Sequence, residues 1–278
     1  MSMDRTVFLS LLALDSYNRG YGSNVGGLSE SDGVGTASIV SRDAIFGPNT
    51  DQVYQAWQSA GFYAIAYEWN GETVISIRGT NFEFAESVED ALNSPIVLDV
   101  WNGWTVGGGF ESSAQAGLAI EFYESVVYGN NPAGLDVFYV NDEFVSLTGH
   151  SLGGGLAGFV GSLAKKPVVG FDHMPYGLAA QGQVFSEALK RTLDQFGLSD
   201  LDPLEVLEQI ENALFPGIQN GDFTLQEFVE ALFFHFDAIA PSYGALRGYY
   251  AEDEVLERVR SGEFQVAGGD VLEPKREL

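Results

Sequence analysis

The stretch Gly149-His150-Ser151-Leu152-Gly153 places one serine between two glycines in the spacing G-x-S-x-G. Residues 144–148 before it are mostly large or β-branched and predict a buried strand, while the glycine-rich residues 152–160 predict a helix packed closely on a sheet. A serine in such a bend has its Oγ pushed away from the backbone, and the helix N-terminus directs free N–H groups towards developing negative charge. The pattern therefore predicts a nucleophile at Ser151.

Chance is the competing explanation for this motif, because the chain contains 34 glycines. A flexible glycine-rich linker, however, would not lie between two strongly apolar segments. The strand before the serine and the helix after it therefore favour the nucleophile over an accidental match.

A serine nucleophile needs a neutral imidazole to accept its proton, and the chain has three histidines. His150 is the neighbour of Ser151 in the chain, so we expect its ring to point away from the serine Oγ. His173 follows the next predicted strand, and this position argues against it as the base. His235 remains, at the edge of the apolar stripe of a helix predicted over residues 224–236, where a purely structural hydrogen bond is the alternative interpretation.

Composition narrows the class of protein. The chain has 278 residues, 45% of them hydrophobic, which is enough for a sizeable core, and we predict a single domain over residues 1–278. Its 13 basic and 39 acidic residues give a net charge of −26, which argues against nucleic acid or anionic membranes as partners and indicates an acidic, solubilising surface. The absence of cysteine excludes disulfides, a thiol nucleophile and cysteine-ligated zinc.

The sequence contains no apolar run of about 18 residues, so we expect no transmembrane helix. The N-terminal apolar stretch from Val7 to Leu14 is short and is not followed by a cleavage site for a signal peptidase. We interpret it as an opening helix with Val7, Leu11 and Leu14 on one face. A soluble protein follows, either cytoplasmic or secreted without a signal peptide.

The elements that must position Ser151 alternate along the chain. Residues 62–69 and 72–77 predict two strands joined by Asn70-Gly71, the strongest short signal for a β-hairpin. Further predicted elements are a surface loop or meander over residues 18–50, a helix over residues 83–92, a helix of about 15 residues from Glu111, and a buried strand over residues 167–172. This alternation predicts an α/β fold with a mostly parallel sheet and helices on both faces.

The C-terminal part of the chain has a different character. Residues 181–262 show helical periodicity throughout and predict a helical insertion or cap without strands. Residues 264–267 then predict one more short strand.

Three separated motifs resemble, in order and spacing, the blocks of the class 3 lipases within the α/β-hydrolase superfamily. They are Ile77-Arg78-Gly79-Thr80, Val106-Gly107-Gly108-Gly109-Phe110 and the segment Thr148-Gly149-His150-Ser151-Leu152-Gly153-Gly154. The turn around the nucleophile, here residues 149–153, is called the nucleophile elbow. Residues 171–177 resemble the F-G-x-P-R-x-G block that follows the elbow in that family. The resemblance covers about residues 60–177. It implies an α/β-hydrolase fold and a serine carboxylic-ester hydrolase that acts without a cofactor on a lipid or small-molecule ester.

The resemblance also implies individual roles. The oxyanion hole is expected to be the N–H of Leu152 with the backbone or hydroxyl of Thr80, each donor worth on the order of 2.7–4 kcal/mol of barrier. Residues 269–274 resemble the family's D-x-V-P block, which makes Asp270 the first choice for the triad carboxylate. Asp172 is the second choice and Glu273 the third.

The base does not follow from the resemblance, because the superfamily order is serine, acid, histidine and no histidine follows Asp270. Either His235 acts as the base from the helical insertion, or the catalytic histidine lies beyond Leu278 in a longer parent. In the second case the chain is a catalytically incomplete module with a hydrolase fold.

Residues 216–227 imitate the second half of a calcium-binding EF-hand loop, with Gly221 and Glu227 in register. Pro216 and Ile218 would occupy the first two ligand positions, and neither has a side-chain oxygen. Thr224 and Glu227 at the start of an apolar stripe form a helix capping box, which explains the same residues. We therefore expect no metal site.

Overall fold

The computed structural model describes residues 4–19, 33–47, 50–59, 61–79, 114–128, 144–174, 176–198, 223–242, 244 and 246–250. The helix predicted over residues 83–92 and the strand predicted over residues 264–267 lie outside these ranges. So do Thr80, Asp270 and Glu273.

A seven-stranded mixed sheet forms the centre of the described chain, with its strands in sequence order. The strands are β1 (Gly33–Val34), β2 (Ala37–Ile39), β3 (Ala64–Trp69), β4 (Glu72–Ile77), β5 (Val145–His150), β6 (Val168–Phe171) and β7 (Leu246–Tyr249). β1 to β4 are antiparallel neighbours, whereas β4 to β7 are parallel neighbours. The predicted hairpin of β3 and β4 is confirmed: Asn70 and Gly71 take φ values of 52° and 81°, which the tight turn requires.

The helices of the described residues flank these strands in the chain. They are α1 (Arg5–Asp15), α2 (Arg42–Phe46), α3 (Thr50–Ser59), α4 (Ala114–Tyr128), α5 (Leu152–Ala164), α6 (Gly177–Gln195) and α7 (Leu225–Ile239). None of them combines the length and the apolar character needed to cross a bilayer.

Helices cover both faces of the parallel part of the sheet. The hydroxyls of Ser76 and Thr148 reach the backbone carbonyls of Leu12 and Leu9 in α1, at 3.0 and 3.5 Å. Leu147 points to the other face, because successive residues of a strand alternate. There its side chain approaches Gly161 of α5. The predicted α/β fold with two helical layers is therefore confirmed at this level.

The opening helix is also confirmed, but its buried face differs from the one the sequence emphasised. Phe8, Leu9 and Leu12 are buried, whereas Val7 is 52% and Leu14 is 41% exposed. The Asp4 carboxylate caps the helix by accepting the Thr6 N–H at 2.8 Å. α1 is therefore held by its Leu9 and Leu12 side against the middle of the sheet.

Two predictions about chain segments need correction. Within the range expected to be a surface loop or meander, residues 33–46 form β1, β2 and α2, so they are not simply loop, and β2 extends the sheet by pairing with β3. β7 lies at Leu246–Tyr249, inside the range expected to be free of strands, and it pairs with β6. These strands are two to four residues long, too short for an alternating pattern to stand out from the sequence.

The chain divides into two compact units, Met1–Ala179 with Ser242–Leu278, and Ala180–Pro241. In the second unit, Leu189 and Leu193 of α6 form a buried cluster with Phe223 and Phe228. The Phe196 ring lies 4.7 Å from that of Phe223 and 5.5 Å from that of Phe228. Aromatic packing thus gives the described part of this unit a core of its own.

Candidate active site

Ser151 occupies the sharp turn between β5 and α5. Its backbone angles are φ 54° and ψ −125°, a left-handed conformation that costs a non-glycine residue free energy. β5 ends at His150 and α5 begins at Leu152, so the turn consists of this one residue. The strand–serine–helix geometry predicted from the sequence is confirmed.

The two glycines of the motif allow this turn because each lies against backbone. A Cβ on Gly149 would lie 2.5 Å from the carbonyl carbon of Gly153 and 2.8 Å from the nitrogen of Gly154. A Cβ on Gly153 would overlap the carbonyl oxygen of Ile77 and lie 2.7 Å from the nitrogen of Gly79. Gly149 therefore lets the strand meet its own helix, and Gly153 lets the helix meet the end of β4.

Backbone hydrogen bonds hold Ser151 on the neighbouring chain. Its N–H donates to the carbonyl of Phe171 at 2.9 Å, and its carbonyl accepts the N–H groups of Gly155 and Met174, each at 3.1 Å. The residue is 5% exposed. The strained turn is thus fixed by β6 as well as by its own helix.

Of the two predicted oxyanion donors, Leu152 lies within the described residues and Thr80 does not. Leu152 is the first residue of α5, in the turn whose N–H groups have no carbonyl partner within the helix. Thr80 lies outside the described residues, so its role stays a prediction. Its neighbour Gly79 is brought to the nucleophile, since a Cβ on Gly79 would lie 3.3 Å from Cβ of Ser151.

Arg78 fixes the chain just before this contact. It is buried, its guanidinium lies 5.4 Å from the ring centre of Tyr63, and its N–H donates to the Tyr63 carbonyl at 3.0 Å. The positive charge over an aromatic face and the backbone bond together position the end of β4.

His150 leaves the elbow towards α1 and β6. Its Nδ1 lies 2.9 Å from the hydroxyl of Tyr17, and its Nε2 lies 3.9 Å from Oδ2 of Asp172. Burial lowers the pKa of His150 below its ordinary value, although the Asp172 carboxylate opposes that shift. Both ring nitrogens therefore face groups other than the Ser151 hydroxyl, as the sequence predicted.

Asp172, the second choice for the acid, follows β6 and takes a φ of 44°. Its N–H donates to the carbonyl of Tyr249 at 2.8 Å. The carboxylate is thus held close to the elbow, with His150 as its imidazole neighbour.

His173 is a buried packing residue beneath the elbow. Its Nδ1 lies 3.0 Å from the carbonyl oxygen of Met174, and the Tyr250 hydroxyl is within hydrogen-bonding distance of its Nε2. A Cβ on Gly154 would lie 2.7 Å from the Cβ of His173. The side chain supports the start of α5, which agrees with its exclusion as the base.

His235 belongs to the helical unit, on α7. Its Nε2 lies 3.0 Å from Oε1 of Gln195 at the end of α6. This is the kind of structural hydrogen bond that the sequence left open as the alternative. The roles of His235 as base and of Asp270 as acid stay predictions.

Tyr17 is the residue near the elbow that sequence reasoning missed. It lies in the short 3-10 turn Ser16–Asn18 after α1, and 133 residues separate it from His150. No local pattern links the two positions.

The capping box predicted in place of a calcium loop is confirmed. The Thr224 hydroxyl accepts the N–H of Glu227 at 3.1 Å, and the Thr224 N–H donates to the Glu227 carboxylate at 2.7 Å. The Thr224 N–H and the Thr224 hydroxyl, which donates to the same carboxylate at 2.8 Å, lower the pKa of Glu227. Both residues are therefore used as helix-capping groups.

A cavity of about 230 Å³ lies beside β2 and β3, with Ile39, Ile65 and Phe122 among its apolar walls and Arg19 and Arg42 among its polar ones. None of the elbow residues lines it. This cavity therefore gives no support to a substrate site at Ser151.

No protein-family model, curated protein or solved structure matches the chain.

Proposed function

We propose that the chain is a serine carboxylic-ester hydrolase that forms an acyl-enzyme on Ser151, in the manner of the class 3 lipases that its motifs resemble. The observation that carries the proposal is the strained backbone of Ser151, with φ 54° and ψ −125°, between a parallel strand and a helix N-terminus. Strain of this kind is retained where surrounding structure enforces it, and such positions concentrate at active sites. An ordinary strand-to-helix turn would not require glycine on both sides, whereas this turn does, because both flanking glycines lie against backbone atoms.

Charge stabilisation supports the same reaction. Attack of Oγ on an ester carbonyl places negative charge on the carbonyl oxygen, and the first N–H groups of α5 lie on the side where the helix dipole is positive. Leu152 supplies the first of these groups. We propose Thr80 as the second donor on the basis of the motif alone.

Hydrolysis of p-nitrophenyl butyrate and octanoate tests the proposal. The wild type is expected to release p-nitrophenol, and Ser151→Ala is expected to lose at least about 10³ of the rate. Ser162→Ala is the matched control, because Ser162 lies on the same helix and its buried hydroxyl donates to the Phe159 carbonyl at 2.8 Å. Equal rates for wild type and Ser151→Ala would reject the assignment.

For the base we propose His235, with Asp270 as the preferred carboxylate and Asp172 as the alternative. His235→Ala is expected to lower kcat by on the order of 10³. Gln195→Ala is the control, because it removes the 3.0 Å hydrogen-bond partner of His235 but keeps the imidazole. If the two variants lose activity equally, or if neither does, His235 is a structural histidine and not the base.

The second candidate is a catalytically incomplete module with a hydrolase fold. One specific observation favours it: within the part of the chain that the structure describes, the three imidazoles bond to or face Tyr17, Asp172, Met174, Tyr250 and Gln195, and no hydrogen bond joins any of them to Ser151. A serine without an activating base reacts slowly with a fluorophosphonate. Such a module would bind ester-like ligands without turning them over.

A further inference from the structure

Tyr17 joins α1 to the two chain segments that meet at Ser151. Its hydroxyl lies 2.9 Å from Nδ1 of His150, and the two rings meet edge to face with their centres 5.8 Å apart. A Cβ on Gly79 would overlap the same hydroxyl oxygen. The Tyr17 side chain therefore touches both Gly79, which follows β4, and His150, which precedes the nucleophile.

The direction of these hydrogen bonds follows from their donors. The backbone of Gly79 lowers the pKa of Tyr17, which is the effect of an N–H directed at the phenolic oxygen. With that side of the oxygen occupied, we infer that the phenolic hydrogen is donated to Nδ1 of His150, 2.9 Å away. A neutral imidazole with an acceptor at Nδ1 has its hydrogen on Nε2, and Nε2 faces Oδ2 of Asp172 at 3.9 Å.

The ionisation states suit this arrangement. Burial raises the pKa of Tyr17, against the opposing effects of the Gly79 N–H and the Arg78 charge, so the phenol keeps its hydrogen. Burial lowers the pKa of His150, which favours the neutral ring, and a neutral ring has one nitrogen that accepts. The Tyr17 hydrogen thus points to Nδ1 of His150, and the N–H at Nε2 lies on the side of the Asp172 carboxylate.

We propose that Tyr17 is a positioning residue for the nucleophile elbow, which holds the end of β4 against Ser151 by packing on Gly79 and hydrogen-bonding His150 at once. This inference rests on the proposed ester-hydrolase function. Gly79 lies against Cβ of Ser151, so a shift of that segment changes the distance between the serine and any donor that follows Gly79. Tyr17 acts through these two neighbours.

Steady-state kinetics with p-nitrophenyl butyrate provide the first test, on Tyr17→Phe and the matched variant Tyr67→Phe. Tyr67 is a buried tyrosine, and its hydroxyl donates to Oδ2 of Asp15 at 2.7 Å and not to an elbow residue. Both variants lose one hydrogen-bonded hydroxyl and are expected to have lower melting temperatures. Only Tyr17→Phe is expected to lower kcat, on the order of ten-fold with KM within about two-fold of wild type. A kcat for Tyr17→Phe within about two-fold of wild type, or an equal loss in Tyr67→Phe, would overturn the proposal.

The ¹⁵N chemical shifts of the His150 ring provide a test that does not depend on activity. The wild type is expected to show Nδ1 without a hydrogen and Nε2 with one, and Tyr17→Phe is expected to lose this single tautomer. A protonated Nδ1 in the wild type overturns the inference, whether or not the protein hydrolyses esters. An inactive wild type with the expected tautomer rejects the proposed function and the kinetic role of Tyr17, but leaves the hydrogen-bond chain established.

His150→Asn separates positioning from proton transfer. The asparagine carbonyl oxygen takes roughly the place of Nδ1 and can accept the Tyr17 hydrogen, but it cannot serve as a general base. Activity within about five-fold of wild type supports the positioning role. A loss as large as that of Ser151→Ala would assign His150 to proton transfer and contradict the proposal.

Discussion

The turn at Ser151 and the helical unit of residues 180–241 differ in whether their close contacts are made with backbone atoms or between side chains. At the turn, Gly149, Gly153 and Gly79 each lie against backbone atoms, and Ser151 keeps a left-handed φ of 54°. In the helical unit, Gly197 lies just after α6 and takes a φ of 72°, but nothing lies within 4 Å of a Cβ placed on it, and the packing is between leucine and phenylalanine side chains. Side chains can repack and backbone atoms cannot. Substitutions should therefore be far less tolerated at the turn.

Gly153→Ala is expected to have the largest effect. Its methyl group would overlap the Ile77 carbonyl oxygen and lie 2.6 Å from the carbonyl carbon of Arg78, so the native elbow cannot form. We expect a destabilisation on the order of 4 kcal/mol in chemical denaturation. The control is Gly117→Ala on α4, where a Cβ meets nothing within 4 Å and alanine is expected to stabilise the helix by about 0.5–1 kcal/mol. Similar stability changes in the two variants would refute the tight contact.

Phe228→Ala tests the helical unit in the same way. Phe228 is 3% exposed in the phenylalanine and leucine cluster, and its removal is expected to cost about 3 kcal/mol through lost burial and the cavity left behind. Phe233, on the same helix, is 63% exposed, so Phe233→Ala is expected to stay within about 0.5 kcal/mol. Thermal unfolding in which Phe233→Ala is the more damaging change would contradict the packing of α7.

Thr224→Ala removes the side-chain half of the capping box at the start of α7. We expect a loss of about 1 kcal/mol, because the N–H of Glu227 loses its partner at 3.1 Å. Thr224→Ser keeps the hydroxyl and should recover most of that loss. Denaturation curves of the two variants that coincide would show that the hydroxyl contributes nothing.

The smallest predicted effect is a pH dependence from His150. Its folded-state pKa lies below the ordinary value of 6.5, because burial disfavours the charged ring and outweighs the Asp172 carboxylate. The unfolded chain therefore binds the proton more readily, so this contribution to stability is complete above pH 6.5 and is lost as the pH falls through the folded-state pKa. Melting temperatures of wild type should fall more steeply than those of His150→Asn between about pH 7 and about pH 5. Parallel curves would contradict the shift.

The same contrast explains what the sequence could predict. The turn at Ser151, the Asn70-Gly71 hairpin and the Thr224 capping box are all set by residues within a few positions of one another, and each is confirmed. The buried face of α1 was not evident because Val7 and Leu14 are as apolar as Leu9 and Leu12. Only packing against β4 and β5 separates the two faces.

Several contacts between distant parts of the chain could not be predicted from the sequence. β1, β2 and β7 are held by their neighbours in the sheet, since two to four residues have little strand preference of their own. Tyr17 reaches His150 because α1 crosses the sheet beneath β5, which no local motif encodes. Likewise, a catalytic base must lie close to the serine in space, which the sequence does not show. His235 was therefore predicted only because His150 and His173 had been set aside.

Covalent labelling with a fluorophosphonate, mapped by mass spectrometry of the digested protein, tests most directly whether Ser151 is an activated nucleophile. We expect rapid modification of one residue per chain, at Ser151. The adduct should be absent from Ser151→Ala, unchanged in Ser162→Ala and formed far more slowly in His235→Ala. Folded wild-type protein that remains unmodified at Ser151, or that is labelled equally after Ser151→Ala, would contradict the central claim.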